Sequence, residues 1–236
     1  MEAPRSLKQN ANRPPMSYIN KGQFYCITLK NVDPSVFVNG NTGGNHANIS
    51  TKVKTVVSIV FANKTNEEQL RHWRYWHARQ HITKQRIIDI ADYKESNMIT
   101  EIDEFAHNAI SFHWDARANS NFNENFAKIY VSTNCLSTDF SSQKGIKGMA
   151  LILQIDTFLD DKCIDRGACQ IKCFCDKGAE RKIRDEEKKA RQELLKTNLN
   201  PGGNTAATNL VNAQLLQNFK LDLIKRDEYV REDVKI

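Results

Sequence analysis

Seven short apolar runs, separated by polar loops, constrain the fold of this chain more than any other feature. Each run is rich in Val, Ile, Phe or Tyr, and several alternate apolar with polar residues, as half-buried strands do. The runs cover residues 23–29, 53–61, 86–90, 109–114, 128–134, 151–156 and 169–175. Many short strands joined by polar loops predict a mainly β protein folded as a β-sandwich.

The last run leads through Asp176-Lys177-Gly178 into a helical pattern with many charges. At about 100° of rotation per residue, four cations fall on one stripe and four apolar residues on another. The cations are Arg181, Arg184, Lys188 and Arg191, and the apolar residues are Ala179, Ile183, Ala190 and Leu194. Such a helix can pack by one face and offer cations to the major groove of DNA. A solvated helix of mixed charge fits the pattern equally well.

A second helix is predicted over residues 66–81, since Thr65 and Glu68 have the spacing of a capping box. We expect three of its residues to pack on the sheet and its arginines to face outward. The packing residues are Leu70, Trp73 and His77, and the outward residues are Arg71, Arg74 and Arg79. These arginines suit either a phosphate backbone or solvent.

Histidines and cysteines raise the question of a metal site. His77 and His81 are four residues apart, but the residue after His77 is Ala78, so the HExxH pattern is absent. Cys173 and Cys175 lie two apart in a predicted strand, about 7 Å along it, which is too wide for a disulfide. We therefore expect reduced, structural cysteines and no metal or other cofactor. A zinc hydrolase using these histidines and a cysteine is a minor alternative.

The loop that follows the run at 128–134 contains Lys144-Gly145 and Lys147-Gly148. Glycine lets the backbone approach a ligand closely, so the loop suits sugar-phosphate contacts and a lysine directed at base edges. An ordinary surface loop is the other interpretation. Phosphate-binding P-loop spacing and nucleophile, dinucleotide and kinase motifs are all absent from the sequence, so nothing in it supports an enzyme.

The formal net charge of +6 favours an anionic partner, without distinguishing nucleic acid, acidic protein and membrane surface. No apolar run approaches the roughly 20 residues that span a bilayer, and we expect no membrane partner. The polar, proline-containing residues 1–13 predict a flexible N-terminal arm. An Asn-Pro-Gly-Gly segment favours a linker beyond residue 196, followed by a C-terminal extension of unassigned packing to residue 236.

Several ordered stretches between residues 14 and 191 resemble the DNA-binding domain of Grainyhead-type (Grainyhead/CP2) transcription factors. Among them are Tyr18-Ile-Asn-Lys-Gly-Gln-Phe-Tyr, Glu68-Gln-Leu-Arg-His-Trp-Arg-Tyr-Trp-His, Asn134-Cys-Leu-Ser-Thr-Asp-Phe-Ser-Ser-Gln-Lys-Gly and Phe174-Cys-Asp-Lys-Gly-Ala-Glu-Arg-Lys-Ile-Arg-Asp-Glu-Glu. The resemblance implies an immunoglobulin-like β-sandwich of the tumour-suppressor transcription-factor type over residues 14–196, with added helices and long loops.

The resemblance also implies a nuclear protein that binds double-stranded DNA at a palindromic CCGG-core site and regulates epithelial and developmental genes. By motif position, the residues that contact bases would be Arg181, Arg184, Lys144 and Gly145. Weaker candidates, for the DNA backbone, are Lys147, Lys182, Lys177 and Gln143.

We expect the chain to be a monomer in solution, or at most a weak dimer, that pairs on a two-fold DNA site. The family's separate dimerisation domain, through which the full-length protein would form a homo-oligomer, is not recognisable in this sequence. A protein-interaction β-sandwich whose basic helix docks an acidic partner is the alternative function.

Overall fold

A computed structural model describes residues 1–7, 16–31, 52–62, 64–82, 84–91, 99–116, 126–140 and 148–198 of the chain, with backbone alone at 193, 194 and 196–198. Within these residues the strands are β1 (Met16–Asn20), β2 (Tyr25–Leu29), β3 (Lys52–Phe61), β4 (Ile88–Ile90), β5 (Ile99–Ala106), β6 (Ala109–Asp115), β7 (Ala127–Thr133), β8 (Leu151–Leu159) and β9 (Lys162–Phe174). The helices are α1 (Asn66–His77) and α2 (Gly178–Asn198), with a 3₁₀ turn at Ser137–Phe140.

The described strands form two sheets that enclose one apolar core. The larger has the order β1-β9-β8-β3-β6-β5 and the smaller the order β2-β7-β4. Val57 and Phe112 from the larger sheet join Ile27 and Ile129 from the smaller in the same buried cluster. The fold is therefore the mainly β sandwich that the apolar runs predict, in the immunoglobulin-like form that the family resemblance implies.

Strand β3 shows how the sequence pattern specifies this core. Its alternate residues from Val53 to Phe61 are all buried, whereas the residues between them are exposed or half-buried. It pairs antiparallel with β6 on one side and β8 on the other, so it lies in the middle of the larger sheet. All seven predicted strands are confirmed, although β4 is shorter than its apolar run and both β8 and β9 extend well beyond theirs.

Two strands were not predicted, and both lie at an edge of the larger sheet. β1 is only five residues long, and its parallel pairing with β9 is a long-range contact without a local signal. β5 is exposed over most of its length, so it has no buried face to produce an alternating pattern. The register of its pairing with β6 shifts at two places. Glu101 lies at the first of these shifts and takes a positive φ of 52°.

Helix α1 begins as predicted and packs differently. The capping box is confirmed, because the Glu68 amide donates to Thr65 Oγ1 at 3.3 Å and the Thr65 amide donates to Glu68 Oε2 at 3.0 Å. The helix ends at His77, four residues before the predicted end. Trp73 and Trp76 are its buried residues, so the prediction that Leu70 packs on the sheet is wrong, since that side chain is 53% exposed.

All six cysteines lie within the described residues as free thiols. Cys26, Cys135 and Cys173 are buried, as expected of small apolar residues. The prediction that Cys173 and Cys175 lie in one strand is wrong, because β9 ends at Phe174 and Cys175 lies exposed in the following turn. No helix in the described part of the chain has the length and apolar character needed to cross a bilayer.

For residues 1–7 the structure differs from the expected flexible arm. The Glu2 amide donates to the Cys26 carbonyl at 2.8 Å, and the Ser6 amide donates to the Met16 carbonyl at the same distance. The Tyr18 amide donates in turn to the Pro4 carbonyl, also at 2.8 Å. Residues 8–13, and residues 199–236 of the predicted linker and extension, lie outside the described residues. The division into a domain over 14–196 and an extension over 197–236 stays a prediction.

Candidate nucleic-acid interface

The turn between β9 and α2 fixes how the charged helix leaves the sandwich. Asp176 adopts a left-handed φ of 46°, and the Gly178 amide donates to the Cys175 carbonyl at 3.0 Å. A Cβ atom on Gly178 would lie 2.7 Å from the Cβ of Phe174, closer than real carbon atoms approach. Glycine therefore lets the helix begin directly against the last residue of the strand.

One face of α2 is buried against β1 and β9. Ala179 is fully buried, and Ile183 and Ala190 are half-buried, as the apolar stripe predicts. The Leu194 side chain lies outside the described residues. Glu186 also belongs to this buried face, although the apolar pattern did not predict it. It is only 4% exposed and occupies the gap in the stripe between Ile183 and Ala190.

The predicted cationic stripe faces solvent. Arg181, Arg184, Lys188 and Arg191 are all exposed, as is Lys177 in the preceding turn. In the described part of the chain no carboxylate oxygen lies within 4.0 Å of the guanidinium of Arg181 or Arg184. Lys182 is different, since it is half-buried and its Nζ lies 3.6 Å from Glu186 Oε1. The helix thus presents two accessible guanidinium groups three residues apart, a spacing that puts them on one face.

The N-terminal end of α2 is held by a residue from β1. Asn20 Oδ1 accepts from the Ala179 amide at 2.9 Å, and Asn20 Nδ2 donates to both carboxylate oxygens of Glu180 at 2.9 and 3.0 Å. The hydrogen bonds from Asn20 lower the pKa of Glu180 from its ordinary value. The two helix residues that Asn20 binds, Ala179 and Glu180, come directly before Arg181.

The third turn of α2 is held through Glu186. Its carboxylate accepts from the Tyr18 hydroxyl at 2.7 Å, the Ser6 hydroxyl at 3.2 Å and the Leu7 amide at 3.1 Å. Burial alone would raise the pKa of Glu186, but these hydrogen bonds, with the Lys182 charge, lower it below its ordinary value. Burial, together with the hydrogen bond to Glu186, raises the pKa of Tyr18 to about 12.

These shifts predict a pH dependence of stability at both extremes. The lowered pKa of Glu186 gives a contribution that is complete above its ordinary value of 4.5 and lost as pH falls through the folded value. The raised pKa of Tyr18 gives a contribution that is complete below its ordinary value of 10.0 and lost as pH rises through about 12.

Urea unfolding across this pH range measures both contributions. Glu186→Gln should lose less stability than wild type on the acid side, and Tyr18→Phe should lose less on the alkaline side. Variants whose stability profiles run parallel to that of the wild-type protein at both extremes would contradict these assignments.

The glycine-containing loop leaves the sandwich at the same end as α2. Residues 141–147 lie outside the described residues, but both ends of the segment are fixed. Phe140 is buried, and the Met149 amide donates to the Ser137 carbonyl at 2.8 Å. A Cβ on Gly148 would lie 2.8 Å from the Ser137 Cβ, so the backbone at Gly148 packs directly against the 3₁₀ turn. Ser137 Oγ also accepts from the Cys173 amide at 3.0 Å, which ties the loop to the end of β9.

The structure therefore places close together the points where the two predicted DNA-contacting segments, the loop and α2, leave the sandwich. The candidates Gln143, Lys144, Gly145 and Lys147 belong to the loop outside the described residues, so their placement stays a prediction. Arg181, Arg184, Lys182 and Lys177 are all described on or next to α2, and their contact roles also stay predictions.

The histidine pair of α1 takes a different arrangement from a metal site. The His77 ring lies 4.1 Å, centroid to centroid, from the ring of His107, whereas His81 lies exposed beyond the helix. In the described part of the chain, no group of three or more His, Cys, Asp or Glu side chains has metal-binding geometry. The outward arginines are confirmed, with Arg71 3.6 Å from Glu67 and Arg79 over the ring of Tyr75.

Two of the residues that hold α2 and the glycine-containing loop in place had no local signal in the sequence. Asn20 caps a helix that lies 159 residues further along the chain, whereas capping patterns are recognised among neighbours. Ser137 likewise reaches its partner across 36 residues. Glu186 did carry a signal, because it continues the three-and-four spacing of the buried stripe at a position where an apolar residue was expected.

The fold and the site together define a mainly β sandwich that presents a helix with a cationic face. The family model described as CP2 transcription factor matches residues 1–196. Grainyhead-like protein 1 homolog from Homo sapiens is 56% identical over 195 residues, covering 80% of this chain and 29% of that protein. Grainyhead-like protein 2 homolog from Homo sapiens is 53% identical over 197 residues, with the same two shares.

The chain belongs to the CP2 transcription factor family, whose members are not enzymes. It spans about three-tenths of the length of the Grainyhead-like relatives that it matches. Among solved structures, the DNA-binding domain of C. elegans Cep-1, described as an ortholog of human p53, superposes with a TM-score of 0.50. The match is 10% identical and covers 82% of this chain and 92% of that one, which supports the shared fold alone.

Proposed function

We propose that this domain reads a two-fold CCGG-core site in double-stranded DNA by laying α2 in the major groove. The observation that carries the proposal is the exposure of Arg181 and Arg184 on a helix whose other face is fixed to the sandwich. A guanidinium can donate two hydrogen bonds to the O6 and N7 atoms of guanine. Among the described residues neither guanidinium has a carboxylate oxygen within 4.0 Å, so both can make this pairing.

Base contacts in this proposal come from Arg181, Arg184, Lys144 and Gly145. Phosphate contacts come from Lys147, Lys182, Lys177 and Gln143. Ser137, just before the loop, is hydrogen-bonded to Cys173 near the end of β9. This contact supports an arrangement in which the loop and the helix approach the same DNA site. Lys182 would have to divide its charge between a phosphate and Glu186, so it is the weakest of the backbone candidates.

Two copies of the domain would occupy the palindrome, one on each half-site, because a two-fold DNA site matches a two-fold protein pair. In the whole protein we place subunit pairing in a separate domain. The proposal also places the protein in the nucleus, where it would regulate epithelial and developmental genes, as the family membership suggests.

Fluorescence-anisotropy titration of a CCGG palindrome and a shuffled duplex, at several salt concentrations, tests the proposal. We expect tighter binding to the palindrome and an affinity for both duplexes that falls steeply with salt, because cations released from DNA drive binding. Equal affinity for the two duplexes would overturn sequence reading. Weak binding to both, with tight binding to an acidic peptide, would favour the alternative in which α2 docks an acidic protein.

Lys147→Ala is expected to weaken binding to all duplexes alike, because a phosphate contact carries no sequence information. The loss of one such contact should reduce the slope of log affinity against log salt by about one. Lys162→Ala is the matched control, since it removes an exposed lysine at the start of β9, the end far from α2. A changed base preference in Lys147→Ala, or an equal effect of Lys162→Ala, would contradict the backbone role.

A further inference from the structure

We propose that β1 positions α2 for base reading through two residues, Tyr18 and Asn20, which we call the β1 clamp. The inference rests on the proposed function, since it explains how the reading helix is held. Tyr18 and Asn20 are two residues apart and therefore point to the same side of the strand. Ile19, between them, points to the other side and joins the apolar core. The clamp is thus a separate feature of β1 from its contribution to the core.

Asn20 caps the first turn of the helix through hydrogen bonds. The first amides of a helix lack partners within the helix, and Asn20 supplies one through its bond to the Ala179 amide. The Asn20 backbone amide donates to the Tyr25 hydroxyl at 2.8 Å, and its side chain is buried with the residue only 3% exposed. Asn20 Nδ2 also donates to both carboxylate oxygens of Glu180, so Asn20 fixes the residue directly before Arg181 as well.

Tyr18 holds the third turn through Glu186, two residues beyond Arg184. A carboxylate is a costly choice for a buried position unless hydrogen bonds satisfy it, and here Tyr18, Ser6 and Leu7 do so. An apolar residue at position 186 would pack with less directional preference. The three hydrogen bonds instead specify how far the helix is rotated about its axis.

The contacts made by Asn20 and by Tyr18 lie on either side of the helix segment that carries Arg181 and Arg184. Together they fix both the rotation of the helix and its height above the sheet. A bidentate contact to guanine needs its donors placed within about 0.5 Å, whereas contacts to phosphates tolerate larger displacements. Loosening the clamp should therefore reduce discrimination between sequences and leave binding to non-cognate DNA unchanged.

The test uses Asn20→Ala and Tyr18→Phe, with Ile19→Val as the matched control in the same strand. Hydrogen exchange of the Ala179 amide directly measures the hydrogen bond from this amide to Asn20. We expect exchange at least about fivefold faster in Asn20→Ala, as for the loss of one hydrogen bond, and unchanged in Ile19→Val. The ratio of affinities for the CCGG and shuffled duplexes should fall about fivefold in Asn20→Ala and in Tyr18→Phe, with the shuffled affinity unchanged.

A donor–acceptor exchange separates positioning from general stability. Asn20→Asp keeps the acceptor for the Ala179 amide but places two carboxylates together, so it should lose discrimination. Adding Glu180→Gln restores a donor opposite the new carboxylate at unchanged net charge. We expect the double variant to regain most of the wild-type ratio.

Discrimination equal to wild type in both Asn20→Ala and Tyr18→Phe would overturn the proposal, as would unchanged exchange at Ala179. An equal loss of discrimination in Ile19→Val would also overturn it, because the effect would then follow general destabilisation of β1. Failure of the proposed function has a different signature, since the wild-type domain itself would bind both duplexes equally. Exchange at Ala179 would still decide whether Asn20 holds the helix.

Discussion

Arg181→Ala is expected to abolish the preference of the domain for a CCGG-core duplex over a shuffled one. The Arg181 side chain is exposed on α2, next to the turn that fixes the start of the helix. A bidentate pair between arginine and guanine contributes about 1–3 kcal/mol of discrimination, or about 5- to 150-fold in the ratio of affinities. Anisotropy titrations of both duplexes at one salt concentration measure the ratio.

Two further measurements distinguish base reading from loss of charge. Arg181→Lys keeps the positive charge but lacks the planar fork, so it should retain non-cognate affinity and lose most of the discrimination. Replacing the CCGG guanines with 7-deazaguanine removes the N7 acceptor, and this should weaken wild-type binding more than Arg181→Ala binding. An Arg181→Ala domain that keeps the wild-type preference would show that another residue reads the core.

Trp76→Ala is expected to cause the largest loss of stability among single substitutions in α1. Trp76 is 2% exposed, and its Nε1 donates to Asp139 Oδ2 at 3.2 Å, so it joins the helix to the 3₁₀ turn before the loop. Removing a buried tryptophan costs about 3–5 kcal/mol. For a domain of this size that corresponds to a fall in Tm of about 6–20 °C.

Leu70→Ala is the matched control for this prediction. Leu70 lies on the same helix and is 53% exposed, so its loss should change the free energy of unfolding by no more than about 0.5 kcal/mol. Calorimetry or thermal circular dichroism measures both variants. Comparable losses in the two variants would contradict the packing of α1 described above.

The parts of the fold that could be predicted are those whose signals are local. The alternation in β3 and the capping box at Thr65 and Glu68 each involve neighbouring residues, so the sequence displays them directly. β1 and β5 could not be predicted, because one depends on a distant partner and the other has no buried face. The contrast between Leu70 and Trp76 shows a further limit, since helical spacing does not say which of two adjacent apolar stripes meets the core.

The candidate site divides in the same way. The cationic stripe on α2 follows from helical periodicity, and the structure leaves Arg181 and Arg184 accessible as that pattern requires. What holds the stripe in place was not predictable, because Asn20 and Tyr18 meet the helix only after β1 has paired with β9. The buried carboxylate of Glu186 could have been suspected from its place in the apolar stripe. Its charge instead suggested an exposed residue.

A crystal structure of the domain bound to a CCGG palindrome tests the central claim most directly. We predict that guanidinium nitrogens of Arg181 lie about 2.7–3.2 Å from O6 and N7 of a core guanine, with α2 in the major groove. A complex in which Arg181 faces solvent, or in which α2 lies away from the bases, would contradict it.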